Sequence, residues 1–175
     1  MFNDYEIQGQ VTSILLTHKR FGNMHCIIDT EDLPMLIEFN HKWHPVLLNG
    51  SHYVLTGQRG KTVYLHRYVM DAPKHLQVDH INHDTLDNRH SNLRLVTSQQ
   101  NNQNKIKPNR DNKTSGIRGV TWDKNRGKWM SKYILDGKTN FVGRYDSLCE
   151  AEQAIKAARA NNVPYSPDAM STTCN

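Results

Sequence analysis

The polar stretch "INHDTLDNRHSN" stands between the runs "QVDH" and "LRLVT", and that interruption limits what the chain can fold into more than any other feature. A segment so crowded with histidine, aspartate and asparagine cannot cross an apolar core. The spacing therefore predicts two strands joined by a long loop in which asparagine side chains bond the loop's own backbone. Upstream, "KTVYLHRYV" reads as a strand. Downstream, Thr97 followed three residues later by Gln100 forms a capping box that opens a polar helix. The order is strand, strand, helix.

The remaining sequence is made of equally short pieces. With 37% apolar side chains in 175 residues, two or three small modules sharing little core are expected. Residues 1–57 give a β-rich N-terminal module. Its runs "QVTSILLT", "MHCIIDT", "MLIEF" and "SHYVLTG" alternate apolar and polar, with turn signals at Phe21-Gly22-Asn23 and Asn49-Gly50. Residues 58–104 hold the strand–loop–strand–helix module. Residues 105–116, "KIKPNRDNKTSG", read as a basic linker, 117–162 as a third module and 163–175 as a tail. In the third module "GIRGVTW", "KWMSKYIL" and "KTNFVGRYD" predict a three-stranded antiparallel sheet, with a hairpin at Asp136-Gly137. A helix follows, capped by Ser147 and Glu150, apolar at Leu148, Ala151, Ile155 and Ala158, and stopped by Asn161-Asn162 and Pro164. Strand alternation puts Trp129, Ser131, Tyr133 and Leu135 under that helix, with Trp129 a core residue, and leaves Lys128 and Lys132 on the open face. The fold class is α+β.

Charge is unevenly placed. Residues 105–144 contain eleven Lys/Arg and three Asp/Glu, a net 11 − 3 = +8, against +5 for the whole chain, so the other residues carry 5 − 8 = −3. Such a segment suits a polyanion, because lysine and arginine that neutralise phosphates release condensed counterions. Cys26, Cys149 and Cys174 are odd in number and far apart, which argues for reduced thiols and against a disulfide framework or thiolate zinc. The N-terminus lacks a basic segment followed by an apolar run, and no stretch approaches the roughly 18 apolar residues of a membrane span. A cytoplasmic location away from membranes is expected.

The crowded loop suggests phosphodiester hydrolysis, which needs an activated water, charge neutralisation at the phosphate and stabilisation of the departing oxygen. Asp79 offers a hard oxygen ligand for Mg²⁺, or Mn²⁺ in its place, and His80 beside it can take a proton from water. Asn101, in the first turn or so of the polar helix, is where a hairpin packed on that helix could bring a second oxygen donor beside Asp79, and Asn92 is placed to close the loop through backbone groups. His75, His83 and His90 could gather with His80 around zinc, although their spacing fits no familiar ligand pattern.

The run "LHRYV…QVDHINHDTLDNRHSNLRLVTSQQNNQN", within residues 61–104, resembles the HNH endonuclease motif of free-standing and intron-borne homing endonucleases, many of them phage-encoded. The resemblance implies a ββα-metal (His-Me finger) core in which Asp79 holds a single divalent ion, His80 is the general base and Asn92 orders the loop. The motif's last position, often histidine, falls at Asn101, with Asn102 as the alternative. His66 and Arg67 match a His-Arg pair common in that family, placed to meet DNA. Residues 117–162 are similar to the DNA-binding domain of plant APETALA and ethylene-responsive factors, in which a three-stranded sheet enters the major groove. That resemblance makes Arg118, Lys124, Arg126, Lys128, Lys132, Lys138 and Arg144 DNA-contact candidates, weighted towards phosphates.

Three functional classes follow. The first is a Mg²⁺-dependent endonuclease acting on double-stranded DNA, with a monomer that nicks favoured by one metal site per chain, in a bacterial host cell if phage-encoded. The second is a DNA-binding regulator with an inactive nuclease module. The third is a zinc-stabilised interaction protein.

Overall fold

Thr12, Ile14 and Leu16 are fully buried while their neighbours are not, and this period of two makes the run a strand with one face inward. In the computed structural model, which describes residues 1–106, 108 and 112–170, β1 (Tyr5–Gln8), β2 (Val11–His18) and β3 (Gly22–Asp29) form an antiparallel sheet in that order. A 3₁₀ turn (Thr30–Asp32) leads into α1 (Leu33–Phe39). A second sheet follows, β4 (His44–Leu48), β5 (Ser51–Gln58) and β6 (Lys61–Tyr64), again antiparallel in sequence order. Next come α2 (Leu65–Val69) and a two-stranded pair, β7 (Gln77–His80) with β8 (Leu93–Val96). Asn49 and Gly50 both have positive φ, 52° and 87°, so the β4–β5 hairpin closes in two residues with Leu48 opposite Ser51.

The chain divides into two units, Met1–Thr97 and Ser98–Asn175. In the first, one core runs through Ile14, Leu16, Cys26, Ile28, Leu36, Trp43, Val54, Leu65, Val69 and Leu93. The expectation of little shared core does not hold here, because the N-terminal strands and the β7–β8 pair bury their apolar faces together. Two strand readings also change. "MLIEF" lies in α1, where Pro34 occupies the first turn, Leu33 and Leu36 are buried three apart, and Asn40 ends the helix in a left-handed conformation (φ 52°). "LHRYV" is α2, with Leu65 and Val69 buried four apart, so the strand ends at Tyr64.

The second unit starts with α3 (Ser98–Gln103) and contains β9 (Val120–Asp123), β10 (Lys128–Leu135) and β11 (Lys138–Tyr145) in an antiparallel sheet with β10 central. Then follow α4 (Leu148–Asn162) and the short α5 (Pro167–Met170). The Ser147–Glu150 capping box is present. α4 covers the sheet face bearing Trp129 and Tyr133 with Ala151 and Ile155, and Ser131 Oγ donates to Ala151 O at 2.8 Å. Gly119 has φ +86°, and a Cβ there would stand 2.6 Å from Lys132 O, so this close crossing needs glycine. Part of the predicted linker, residues 107 and 109–111, lies outside the described residues, as does the end of the tail at 171–175 with Cys174. The fold is α+β, with mixed helices and small antiparallel sheets. Among the described residues no helix is long and apolar enough to cross a membrane.

Candidate active site

Antiparallel pairing of β7 with β8 sets Asp79 opposite Arg94 and His80 opposite Leu93. Adjacent strand residues face opposite sides, so the carboxylate and the imidazole diverge, yet both are buried. Arg94 Nε and Nη2 approach Asp79 Oδ2 at 2.8 and 2.7 Å. A cation held by Asp79 therefore shares that carboxylate with a guanidinium or displaces it. The donor type still fits a hard divalent ion.

His80 lies in a nest of aromatic rings. His66 is edge-on at 5.3 Å between centroids and Tyr53 edge-on at 6.1 Å. Burial holds the His80 imidazole below the usual histidine range, against the pull of Asn88, Asp79, Asp84 and Asp87. Its Nε2 faces Asn88 Oδ1 at 3.5 Å, and the Asn88 amide is oriented by Nδ2 donating to Leu86 O at 3.1 Å. A tautomer with the proton on Nε2 would donate to that oxygen and carry its basic lone pair on Nδ1. His66, also buried, is pushed down to about 3 by desolvation, with smaller contributions from His80 and Arg67. Both imidazoles are neutral at neutral pH.

The loop between β7 and β8 is fixed from within and from the side. Asn92 Oδ1 accepts from Asn82 N at 2.9 Å, and its Nδ2 donates to Asp87 O at 2.8 Å and Asp84 O at 3.4 Å. Asp87 holds Arg89 through both oxygens, at 2.8 and 2.7 Å, and that pairing keeps its carboxyl below the ordinary range. From β3, Ile27 N donates to Leu86 O at 2.9 Å and Ile27 O accepts from Asn88 N at 2.8 Å. Thr85 Oγ1 donates to His52 O of β5. The N-terminal sheets thus hold the loop that carries Asn88 and Asn92.

Asp79, His80, Asn92 and His66 come together in the first unit, whereas Asn101 is on α3 of the second. The Arg67 guanidinium donates to Leu76 O, Ala72 O and Pro73 O, closing the turn after α2. In the second unit Arg118 is likewise engaged, donating to Asn102 O, Gln103 O and Lys105 O at the end of α3. Arg126 and Arg144 both pair with Asp123, and Lys128 with Asp146. Lys124, Lys132 and Lys138 are exposed. Lys132 borders a hollow of about 890 Å³ that also meets Lys105, Thr121 and Thr139.

The proposed four-histidine zinc cluster does not assemble. Among the described residues the converging group is Asp29, Asp32 and His90. Sequence reasoning missed Asn88 and Arg94 as partners of the site; Arg94 stands two residues after Asn92, and Asn88 four before it, inside the same polar loop. Asp29 and Asp32 carried no signal, being about sixty residues away from His90.

Residues 63–103 match the sequence model of the HNH endonuclease family. Among curated proteins, an uncharacterized HNH endonuclease of Acanthamoeba polyphaga mimivirus is 36% identical over 119 residues, covering 65% of this chain and 58% of the relative. Protein 3.8 of Escherichia phage T7 is 36% identical over 73 residues, covering 41% of this chain and 59% of the relative. The chain thus spans just under three fifths of each of these relatives. No solved structure matches it.

Proposed function

We propose that the chain is a divalent-metal-dependent DNA endonuclease that hydrolyses a phosphodiester bond at Asp79 and His80. The observation that carries this reading is a buried imidazole kept neutral and, next to it in sequence, a buried carboxylate, inside the segment that matches the HNH family. His80 Nδ1 takes a proton from the attacking water. Asn88 holds the ring through Nε2, and Asn92 keeps the loop closed so that Asn88 stays in place. His66 forms the wall of the ring nest and excludes bulk water from the base. Asp79 holds the cation, with Asn101 proposed as a further oxygen donor; Mg²⁺ or Mn²⁺ there would supply charge neutralisation at the phosphate and at the leaving oxygen.

The second unit is proposed to hold double-stranded DNA through a sheet related to the APETALA and ethylene-responsive factor domain. Lys124, Lys132 and Lys138 make the first phosphate contacts, and Arg126, Lys128 and Arg144 join by exchanging their aspartate partners. A monomer with one cation site nicks one strand. The test is incubation of supercoiled plasmid with the full chain and Mg²⁺. Nicked circles that form with Mg²⁺ and are suppressed by EDTA support the reading. No metal-dependent conversion would overturn it in favour of a DNA-binding protein without nuclease activity.

A further inference from the structure

Three side chains outside the proposed active site converge from separate parts of the first unit. Asp29 ends β3, Asp32 ends the 3₁₀ turn and His90 belongs to the loop before β8. Their ligand-capable atoms all lie within 4.8 Å of one another. His90 Nε2 is 3.2 Å from Asp32 Oδ1, and His90 N donates to Asp29 Oδ2 at 2.7 Å.

A second observation separates this group from an ordinary surface ion pair. Asp32 is only 8% exposed, and its Oδ2 is buried without a hydrogen-bond partner. A buried carboxylate oxygen is rarely left so, because it has given up water and received nothing in return. The Asp29 carboxylate lies in the same group within 4.8 Å, so two acids face one imidazole there. A cation would answer both the orphan oxygen and the crowding of negative charge. The His90 side chain is 44% exposed, so an ion can reach the group from water.

We propose that Asp29, Asp32 and His90 form a divalent transition-metal site, separate from Asp79 and His80, that ties the N-terminal sheet to the loop carrying Asn88 and Asn92. One imidazole nitrogen with two carboxylates is a donor set suited to Zn²⁺ and its first-row neighbours, whereas Mg²⁺ and Ca²⁺ favour oxygen alone. Zinc needs nitrogen and oxygen atoms at about 2.0–2.2 Å, and His90 Nε2 and Asp32 Oδ1, 3.2 Å apart, already stand close to the separation of two neighbouring ligands of one ion. The ion takes the place of the proton between His90 Nε2 and Asp32 Oδ1, with water completing its shell.

This inference does not rest on the nuclease reading, because its readout is metal binding. The full chain carrying Asp79→Asn and His80→Ala, so that the proposed active site cannot compete, is stripped with EDTA and titrated with Zn²⁺ by calorimetry. One equivalent should bind, and adding Asp32→Asn should weaken it on the order of 100-fold, the upper end of what loss of even an outer partner costs at such sites. In parallel, hydrogen exchange of the Asp79→Asn, His80→Ala parent should slow on Zn²⁺ addition in two segments, 27–32 and 84–92. That measurement decides the matter alone if the Asp32→Asn protein does not fold. Absence of zinc uptake by the parent, uptake undiminished by Asp32→Asn, or exchange protection lying elsewhere would each overturn the proposal.

Discussion

His80 and His66 sit 5.3 Å apart in a buried nest, and their titration has opposite uses. For His80, a value below the ordinary histidine range keeps the base deprotonated as pH falls, so the acid limb of cleavage should lie below pH 6.5. Rates measured from about pH 5 to 8 check this, and a limb at or above 6.5 would show that the titrating base is not the buried His80. His66 works on stability. Folded, it stays neutral down to about 3, while in the unfolded chain it protonates near 6.5. Its contribution is fully present above 6.5 and is lost as pH falls from there towards about 3. Urea midpoints should drop on acidification through this window, and His66→Phe should flatten the drop. Asp79 adds a third prediction. Asp79→Ala removes the proposed cation ligand and also breaks the largely buried pair with Arg94, at a cost on the order of 3 kcal/mol. Cleavage should fail even at raised Mg²⁺. Asp79→Asn, which keeps the shape, should lose activity with a smaller shift in the denaturation midpoint.

At the scale of elements, the loop between β7 and β8 is the part on which the site depends. Asn92→Ala takes a partner from Asn82 N and from the buried Asp87 carbonyl, which should cost about 1–3 kcal/mol and speed hydrogen exchange across 82–88. Unchanged exchange there would mean that the β3 contacts alone hold the loop. Much of this level is readable in the sequence. Alternation and two-residue turns mark β2, β5, β10 and β11, and the Ser147–Glu150 pair marks the start of α4. α1 and α2 read as strands because a five-residue apolar run fits either period, and the deciding facts, Pro34 in the first turn and burial of Leu65 with Val69, depend on the fold around them. Asp79, His80 and Asn92 are legible as a motif. Asn88 against His80, Arg94 against Asp79 and the backbone pairing of Ile27 with the loop are not, because they arise from packing and strand register rather than from local pattern.

Across the whole molecule, the proposed chemistry and the proposed phosphate contacts fall in different units, Asp79 and His80 in Met1–Thr97 and Lys124, Lys132 and Lys138 in Ser98–Asn175. The structure narrows the +8 segment, because Arg118 is engaged with carbonyls and Arg126, Arg144 and Lys128 with aspartates. Lys132→Ala should therefore weaken DNA binding and reduce its salt slope by about 0.9, the loss of one phosphate contact. Equal slopes for the variant and the parent would mean that this lysine is only solvated. Activation of the water by His80 is tested most directly by comparing the full chain with its His80→Ala variant on plasmid in Mg²⁺, with DNA affinity measured on the same proteins. If His80 is the base, cleavage falls by a factor on the order of 10² or more with affinity nearly intact. Cleavage by His80→Ala at the parent rate would contradict it.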